Sequence, residues 1–229
     1  MTALDDPRMV RASDLRTKRE ILRVFLAHWS PRIILLTTTV TLVARLSVWS
    51  VSRGDLVVLA AVLFLTGPLE WFIHKFALHT DPDAWLTRKL GLGVGHRNHH
   101  VDPPALDNLL LAGPDAAIFC VVLGLTTTVW ALPLLWLTGS PIAVPMLTAL
   151  ALTYLGFANY EWTHLMVHTR YRPRTRFYAR LARNHRLHHY RNEEYWLGVT
   201  SNLGDRLLRT YPRHKTDVPL SDTARNLDG

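Results

Sequence analysis

Four apolar runs, near residues 33–51, 56–73, 116–137 and 141–160, interrupt a chain that is otherwise polar and basic. Each has about the 17–25 residues that carry a helix across the hydrocarbon core of a bilayer. Ser-Val-Ser-Arg-Gly-Asp links the first pair and Thr-Gly-Ser-Pro the second, so each pair is predicted to form an antiparallel helical hairpin. Arg45 breaks the first run and must face other helices, water or a route to the interface. Residues 1–32 read as a basic N-terminal segment carrying Arg8, Arg11, Arg16, Lys18, Arg19 and Arg23. Within it, Ser13 or Asp14 is predicted to cap a helix that lines up Leu15, Ile21, Leu22, Phe25 and Trp29 along one side. Such a helix suits the membrane interface, or packing on the soluble part of the protein. The first apolar run starts late and lacks a small-residue cleavage site, so no cleavable signal is expected.

Charge then orients the hairpins. The chain has 229 residues and a net charge of +8, and 24 of its 26 Lys and Arg lie in 1–32, 74–113 and 161–229. Only Arg45 and Arg53 fall elsewhere, so those three regions are predicted to share the cytoplasmic side, termini included. The domain reading is a membrane domain over 33–212 and a polar tail over 213–229. The lone cysteine, Cys120, sits in an apolar run, which excludes a disulfide framework and a thiolate metal site. A basic chain can bind nucleic acid, but no recognition motif accompanies the charge here.

The polar regions between the runs carry a histidine repeat. Glu70-Trp71 precedes His74 and His79, and His96, His99 and His100 begin 17 residues after His79. Glu161-Trp162 precedes His164 and His168, and His185, His188 and His189 begin 17 residues after His168. Both copies contain His-Arg-x-His-His, whose i, i+3, i+4 spacing puts three imidazoles on one side of a helix. His164 and His168 match a helical turn, whereas the i, i+5 spacing of His74 and His79 splays them by about 140° on a regular helix. A helix end or a π-bulge near Lys75–Leu78 would bring those two together. His28 and His214 stand outside the pattern.

Ten imidazoles exceed the needs of one ion, since a zinc site takes about four ligands. Two ions with about five ligands each leave room for water or oxygen, and nitrogen donors suit iron, copper, nickel or zinc. Zinc would imply a membrane hydrolase or hydratase; dinuclear iron would imply oxygen activation. A metal-binding membrane protein without catalysis is the third reading. Glu70, Glu161, Asp102 and Asn184 are the candidates for orienting ligand rings through hydrogen bonds. Arg170, Arg172, Arg174, Arg176, Arg180 and Arg183 would face anionic headgroups or dock an acidic electron donor.

The four clusters, with Tyr160-Glu161-x-Thr163-His164, His188-His189-Tyr190-Arg191-Asn192, Leu197-Gly198-Val199-Thr200-Ser201, Asp205 and Thr210-Tyr211, resemble the fatty acid hydroxylase and sterol desaturase superfamily. The 2-hydroxylase branch is the nearest in pattern, and the resemblance covers about residues 55–212. It implies an all-α integral membrane protein, with four transmembrane helices in two hairpins and a cytosolic helical cap over a dinuclear metal centre. It further implies two iron ions, with zinc able to replace them on purification, O2 as co-substrate, and a lipid acyl chain as substrate. Electrons would come from a separate cytochrome b5- or ferredoxin-like protein, because no fused cytochrome b5 domain precedes residue 33. Carotenoid ring hydroxylases carry similar boxes with a shorter interval after the first pair, and sterol hydroxylases or desaturases of the same superfamily are the other alternative.

Overall fold

The apolar runs fold as helices. The computed structural model describes residues 10–222 apart from Pro82 and Leu92, so Arg8 and residues 223–229 of the expected tail lie outside the described residues. The helices are α1 (Lys18–Ala27), α2 (Trp29–Leu46), α3 (Arg53–Phe72), α4 (Trp85–Leu90), α5 (Val94–Val101), α6 (Leu106–Leu109), α7 (Gly113–Leu137), α8 (Ala143–Val167), α9 (Arg176–Tyr190) and α10 (Leu203–Leu207). A π-helical turn, Ile73–Leu78, continues α3. Among the described residues there is no strand, and Arg11 pairs with Ala105 in an isolated antiparallel bridge.

Three stretches are long and apolar enough to cross a membrane: Arg53–Leu78 (26 residues), Leu106–Leu137 (32 residues) and Ala143–Val167 (25 residues). The first expected span is not among them. Its helix, α2, contains Arg32, Thr37, Thr38, Thr39, Thr41 and Arg45, and it stops at Leu46 rather than reaching residue 51. Arg45 explains the early end. Its guanidinium donates to the carbonyls of Val48 (3.0 Å) and Ser50 (2.9 Å), folding the chain back over the helix terminus. It also pairs with Asp55 at 3.1 Å and donates to Thr148 at 2.5 Å, so it is satisfied inside the protein.

The chain divides into two units. One comprises Leu26–Thr66 and Leu111–Glu161; the other comprises the described residues of Met1–Phe25, Gly67–Leu110 and Trp162–Gly229. In the first, Ile34 of α2, Ala116 and Cys120 of α7, and Tyr154 and Ala158 of α8 form a buried cluster. Gly124 permits this packing, since a Cβ there would lie 2.6 Å from the Tyr154 hydroxyl. A second cluster joins Val58, Ala131, Leu135 and Ala149.

In the second unit, α1 buries Ile21 and Phe25, the latter edge-on to Trp162 at 5.4 Å, while Leu22 stays exposed. The helix thus uses its apolar stripe within the protein. Its start is not capped by Ser13 or Asp14. Instead, Thr17 and Glu20 form the reciprocal cap: Glu20 accepts from the amides of Arg16 and Thr17, and the Thr17 hydroxyl accepts from the Glu20 amide.

Candidate metal centre

All ten motif histidines lie in the second unit, and they form two groups of five. The first is His74, His79, His96, His100 and His188; the second is His99, His164, His168, His185 and His189. Within each group, one ring nitrogen from every residue lies within 4.8 Å of the others. The groups do not follow the two sequence repeats. Each repeat builds four fifths of one group and lends its middle histidine, His99 or His188, to the other. Helical geometry explains the exchange. Residues i+3 and i+4 point about 100° apart, so His96 and His100 face one group while His99 faces its neighbour. On α9, His185 and His189 take the second group and His188 the first.

The π-helical turn does what the five-residue spacing demanded. The His79 amide donates to the His74 carbonyl at 3.1 Å, an i+5 bond, and the two rings come within 5.0 Å. His96, His99 and His100 lie on α5, His164 near the end of α8, His168 just beyond it, and His185, His188 and His189 on α9.

Two rings are anchored from behind. His74 Nδ1 bonds the Leu197 carbonyl at 2.5 Å, and His188 Nδ1 bonds the Tyr195 carbonyl at 2.9 Å. A carbonyl only accepts, so each Nδ1 carries the proton and each Nε2 presents a lone pair. Those lone pairs point at other ring nitrogens: His74 Nε2 is 3.0 Å from His96 Nε2, and His188 Nε2 is 3.2 Å from His100 Nε2. His96 Nε2 is also 3.2 Å from His79 Nε2 and 3.1 Å from His100 Nε2. One proton on His96 cannot serve three acceptors, so converging lone pairs call for a cation. In the second group, His168 Nε2 is 3.1 Å from His99 Nε2 and 2.8 Å from His185 Nε2. Nitrogen donors about 2.1 Å from an ion sit about 3.0 Å apart at right angles and about 3.4 Å apart at tetrahedral angles. The observed separations fit the former, a five- or six-coordinate metal.

Burial keeps the rings in the ligating state. It is the main reason that His79 is pushed down to about 2, with the nearby His74 and His100 rings adding to it. The same burial holds His96, His99, His168, His185, His188 and His189 well below the ordinary imidazole range. Neutral imidazole is the form that binds metal.

A family model for fatty acid hydroxylases matches residues 57–210, a stretch containing all ten histidines. The chain belongs to the fatty acid hydroxylase family. It is 29% identical over 144 residues to the dihydroceramide fatty acyl 2-hydroxylase FAH2 of Arabidopsis thaliana, a match covering 63% of this chain and 56% of that protein. It is 26% identical over 191 residues to FAH1 of the same plant, covering 82% of this chain and 74% of the relative. The solved structure of full-length scs7p, in which only the hydroxylase domain is visible, shares the fold. Its TM-score is 0.64 at 22% identity, over 85% of this chain and 70% of that one.

Three of the four residues expected to orient rings bond to other groups. Glu70 accepts from the amides of Val199 and Thr200 and from the Thr200 hydroxyl, so it holds a loop rather than a ring. Asp102 is half-exposed and pairs with Arg11 at 2.5 Å. Asn184 is fully buried and donates to Asn202 at 3.0 Å and to the Tyr211 hydroxyl at 3.4 Å, tying α9 to the C-terminal segment. Glu161 is buried, and its Oε2 has no hydrogen-bond partner among the described residues. The ring partners are instead backbone carbonyls, which carry no side-chain signature. Between them Trp196 is buried at φ +53°, a left-handed conformation that costs a non-glycine residue on the order of 1–3 kcal/mol.

The arginine run divides. Arg170, Arg172 and Arg174, with Arg16 and Arg186, line a recess of about 940 Å³ beside Thr169 and Tyr171. Two of the residues lining it, Thr169 and Arg186, are the sequence neighbours of His168 and His185.

Proposed function

We propose that this protein is a membrane-bound monooxygenase that hydroxylates a C–H bond of a lipid acyl chain, with two iron ions held by the two five-histidine groups. The observation that carries this reading is the convergence of ten ring nitrogens in two sets spaced for five- or six-coordinate metals. The names of the Arabidopsis relatives, dihydroceramide fatty acyl 2-hydroxylases, support an acyl chain over a carotenoid or a sterol. Bound iron would supply the chemistry the side chains lack, the reductive use of O2 against an unactivated C–H bond. The balance is one oxygen atom to the substrate carbon and one to water, with two electrons and two protons taken up. The protein's share is to keep ten rings neutral, fix their tautomers and shield the site. A zinc hydrolase is the rival reading, and the near-right-angle donor spacing counts against a four-coordinate zinc site.

The electrons come from a separate acidic donor, and the arginine recess has the complementary charge. The full topology is four spans, with α2 as the fourth, and with both termini and the histidines on the cytoplasmic side. His74 and His164 lie within the last turns of the apolar stretches ending at Leu78 and Val167, which supports a metal position at headgroup depth. A bilayer's hydrocarbon core is about 30 Å thick, so an acyl methyl end lies about 15 Å deeper than the interface. Hydroxylation therefore falls at the second or third carbon. Lipid extracts from cells with and without the protein, grown under labelled O2, test this by mass-spectrometric fragmentation. Label at carbon two or three is the expected product. Unlabelled hydroxyl, or turnover without oxygen, would overturn the oxygenase, and mid-chain placement would overturn the depth argument.

A further inference from the structure

Two rings of the first five-histidine group are held from behind, and the hold traces to Asp205. Asp205 is completely buried, with Oδ1 accepting from the Leu197 amide at 2.9 Å and Oδ2 from the Gly198 amide at 2.8 Å. In a trans peptide the N–H and C=O point in opposite directions. Gripping the Gly198 N–H therefore aims the Leu197 carbonyl, in the same peptide unit, away from Asp205 and at His74 Nδ1. The Tyr195 carbonyl is aimed in the same way. Its peptide partner, the Trp196 N–H, donates to the Thr210 carbonyl at 3.0 Å, leaving the oxygen on His188 Nδ1. Thr210 in turn belongs to Asp205: its hydroxyl donates to Oδ1 at 2.7 Å and its amide to the Asp205 carbonyl at 2.9 Å. Trp71 Nε1 donates to the Thr210 hydroxyl at 2.7 Å, closing the arrangement from α3. Gly198 admits no side chain, since a Cβ would lie 1.9 Å from the Ser201 carbonyl oxygen and 3.0 Å from Asp205 Oδ2.

In the second group three rings lack such a hold among the described residues. Nδ1 of His99, His185 and His189 is buried without a hydrogen-bond partner among the described residues. We propose that Asp205 and Thr210 are positioning residues that grip two peptide units and through them fix His74 and His188, so that they pre-organise one of the two metal positions. The ion held by His74, His79, His96, His100 and His188 is then the one whose release they slow. This inference rests on the two-ion reading above.

The test is metal release from the purified full chain loaded with Co(II), followed by cobalt absorbance after adding excess EDTA. The wild-type protein is expected to lose two ions in two kinetic phases. Asp205→Asn puts an amide N–H against one of the two backbone donors, and the slow phase should accelerate about 10–100-fold, the range seen when the groups behind metal-bound histidines are changed. The fast phase should hold its rate. A merely structural role would accelerate both phases together, and that outcome, or no change in either, would overturn the proposal. A wild-type protein that binds only one ion would instead overturn the dinuclear reading. If Asp205→Asn does not accumulate in the membrane, Thr210→Val carries the same test. It removes the hydroxyl bond to Asp205, whereas Thr210→Ser keeps it and should restore the slow phase; equal rates in the two Thr210 variants would overturn the proposal.

Discussion

The two histidine repeats are nearly the same text and differ in structure. In the first, a π-helical turn joins His74 to His79 across five residues, and Glu70, four residues before His74, holds the loop at Val199 and Thr200. In the second, His164 and His168 need only an ordinary helical turn, and Glu161, three residues before His164, leaves Oε2 unpartnered. The C-terminal segment accounts for the contrast. It follows the second repeat in the chain, yet its Tyr195 and Leu197 carbonyls support only rings of the first group. A duplicated ligand pattern has been braced on one side by a segment that was not duplicated.

The largest expected effect concerns the exchanged histidines. His188→Ala should empty the group built mainly by the first repeat, and His99→Ala the group built mainly by the second; each should lower turnover by more than about 100-fold, as expected when a metal ligand rather than a group behind it is lost. Pairs of changes test the crossing. His79→Ala with His188→Ala damages one group, so metal analysis should find one ion retained. His168→Ala with His188→Ala damages both and should leave none. The opposite result would restore the uncrossed arrangement that the sequence repeats suggest.

That crossing marks the limit of what the sequence conveys. Spacing singled out the ten histidines that the structure gathers into two groups, the one-sided placement of each trio, and the need for a π-bulge near Lys75–Leu78, because an i+5 pair cannot meet on a regular helix. Spacing could not divide His96, His99 and His100 between two groups, since that depends on where the facing helix lies. The cap of α1 was also legible, as Thr17-x-x-Glu20 is a capping box, but Ser13 and Asp14 are equally good residues in a worse place. The ring partners were not legible. Tyr195 and Leu197 act through carbonyl groups that every residue has, around a left-handed Trp196 that a preference for glycine would never select. For α2, an apolar run counted to residue 51 missed Arg45 turning back to cap the helix with its guanidinium.

A smaller, graded effect is expected with acid. His96, His99, His168, His185, His188 and His189 hold protons less readily folded than unfolded, because burial opposes their charge. Below an ordinary imidazole pKa of about 6.5 the unfolded chain therefore binds more protons, and stability falls as pH drops. Above that value the contribution is fully present and flat. Thermal unfolding of metal-free protein in detergent should show a midpoint steady from pH 7 to 8 and falling from pH 6 to 4. A midpoint that rises on acidification would mean that the rings are charged in the folded protein, and the ligand reading would fail with it.

The smallest effect separates the two glutamates that open the repeats. Glu70→Ala leaves the buried Val199 amide, the Thr200 amide and the Thr200 hydroxyl without their acceptor, a cost of about 1–3 kcal/mol for each group left unsatisfied. Glu70→Gln keeps one acceptor oxygen and should lose less. At Glu161 the expectation reverses, because its Oε2 bonds nothing among the described residues and a buried carboxyl group with an unmet oxygen gains little from being charged. Glu161→Gln, which preserves shape and removes any charge, should leave the unfolding midpoint unchanged or raise it slightly. Parallel melts of Glu70→Gln and Glu161→Gln in one detergent make the comparison direct. Equal losses from the two would mean that Glu161 supports the second group as Glu70 supports the first, and the one-sided bracing would have to be given up.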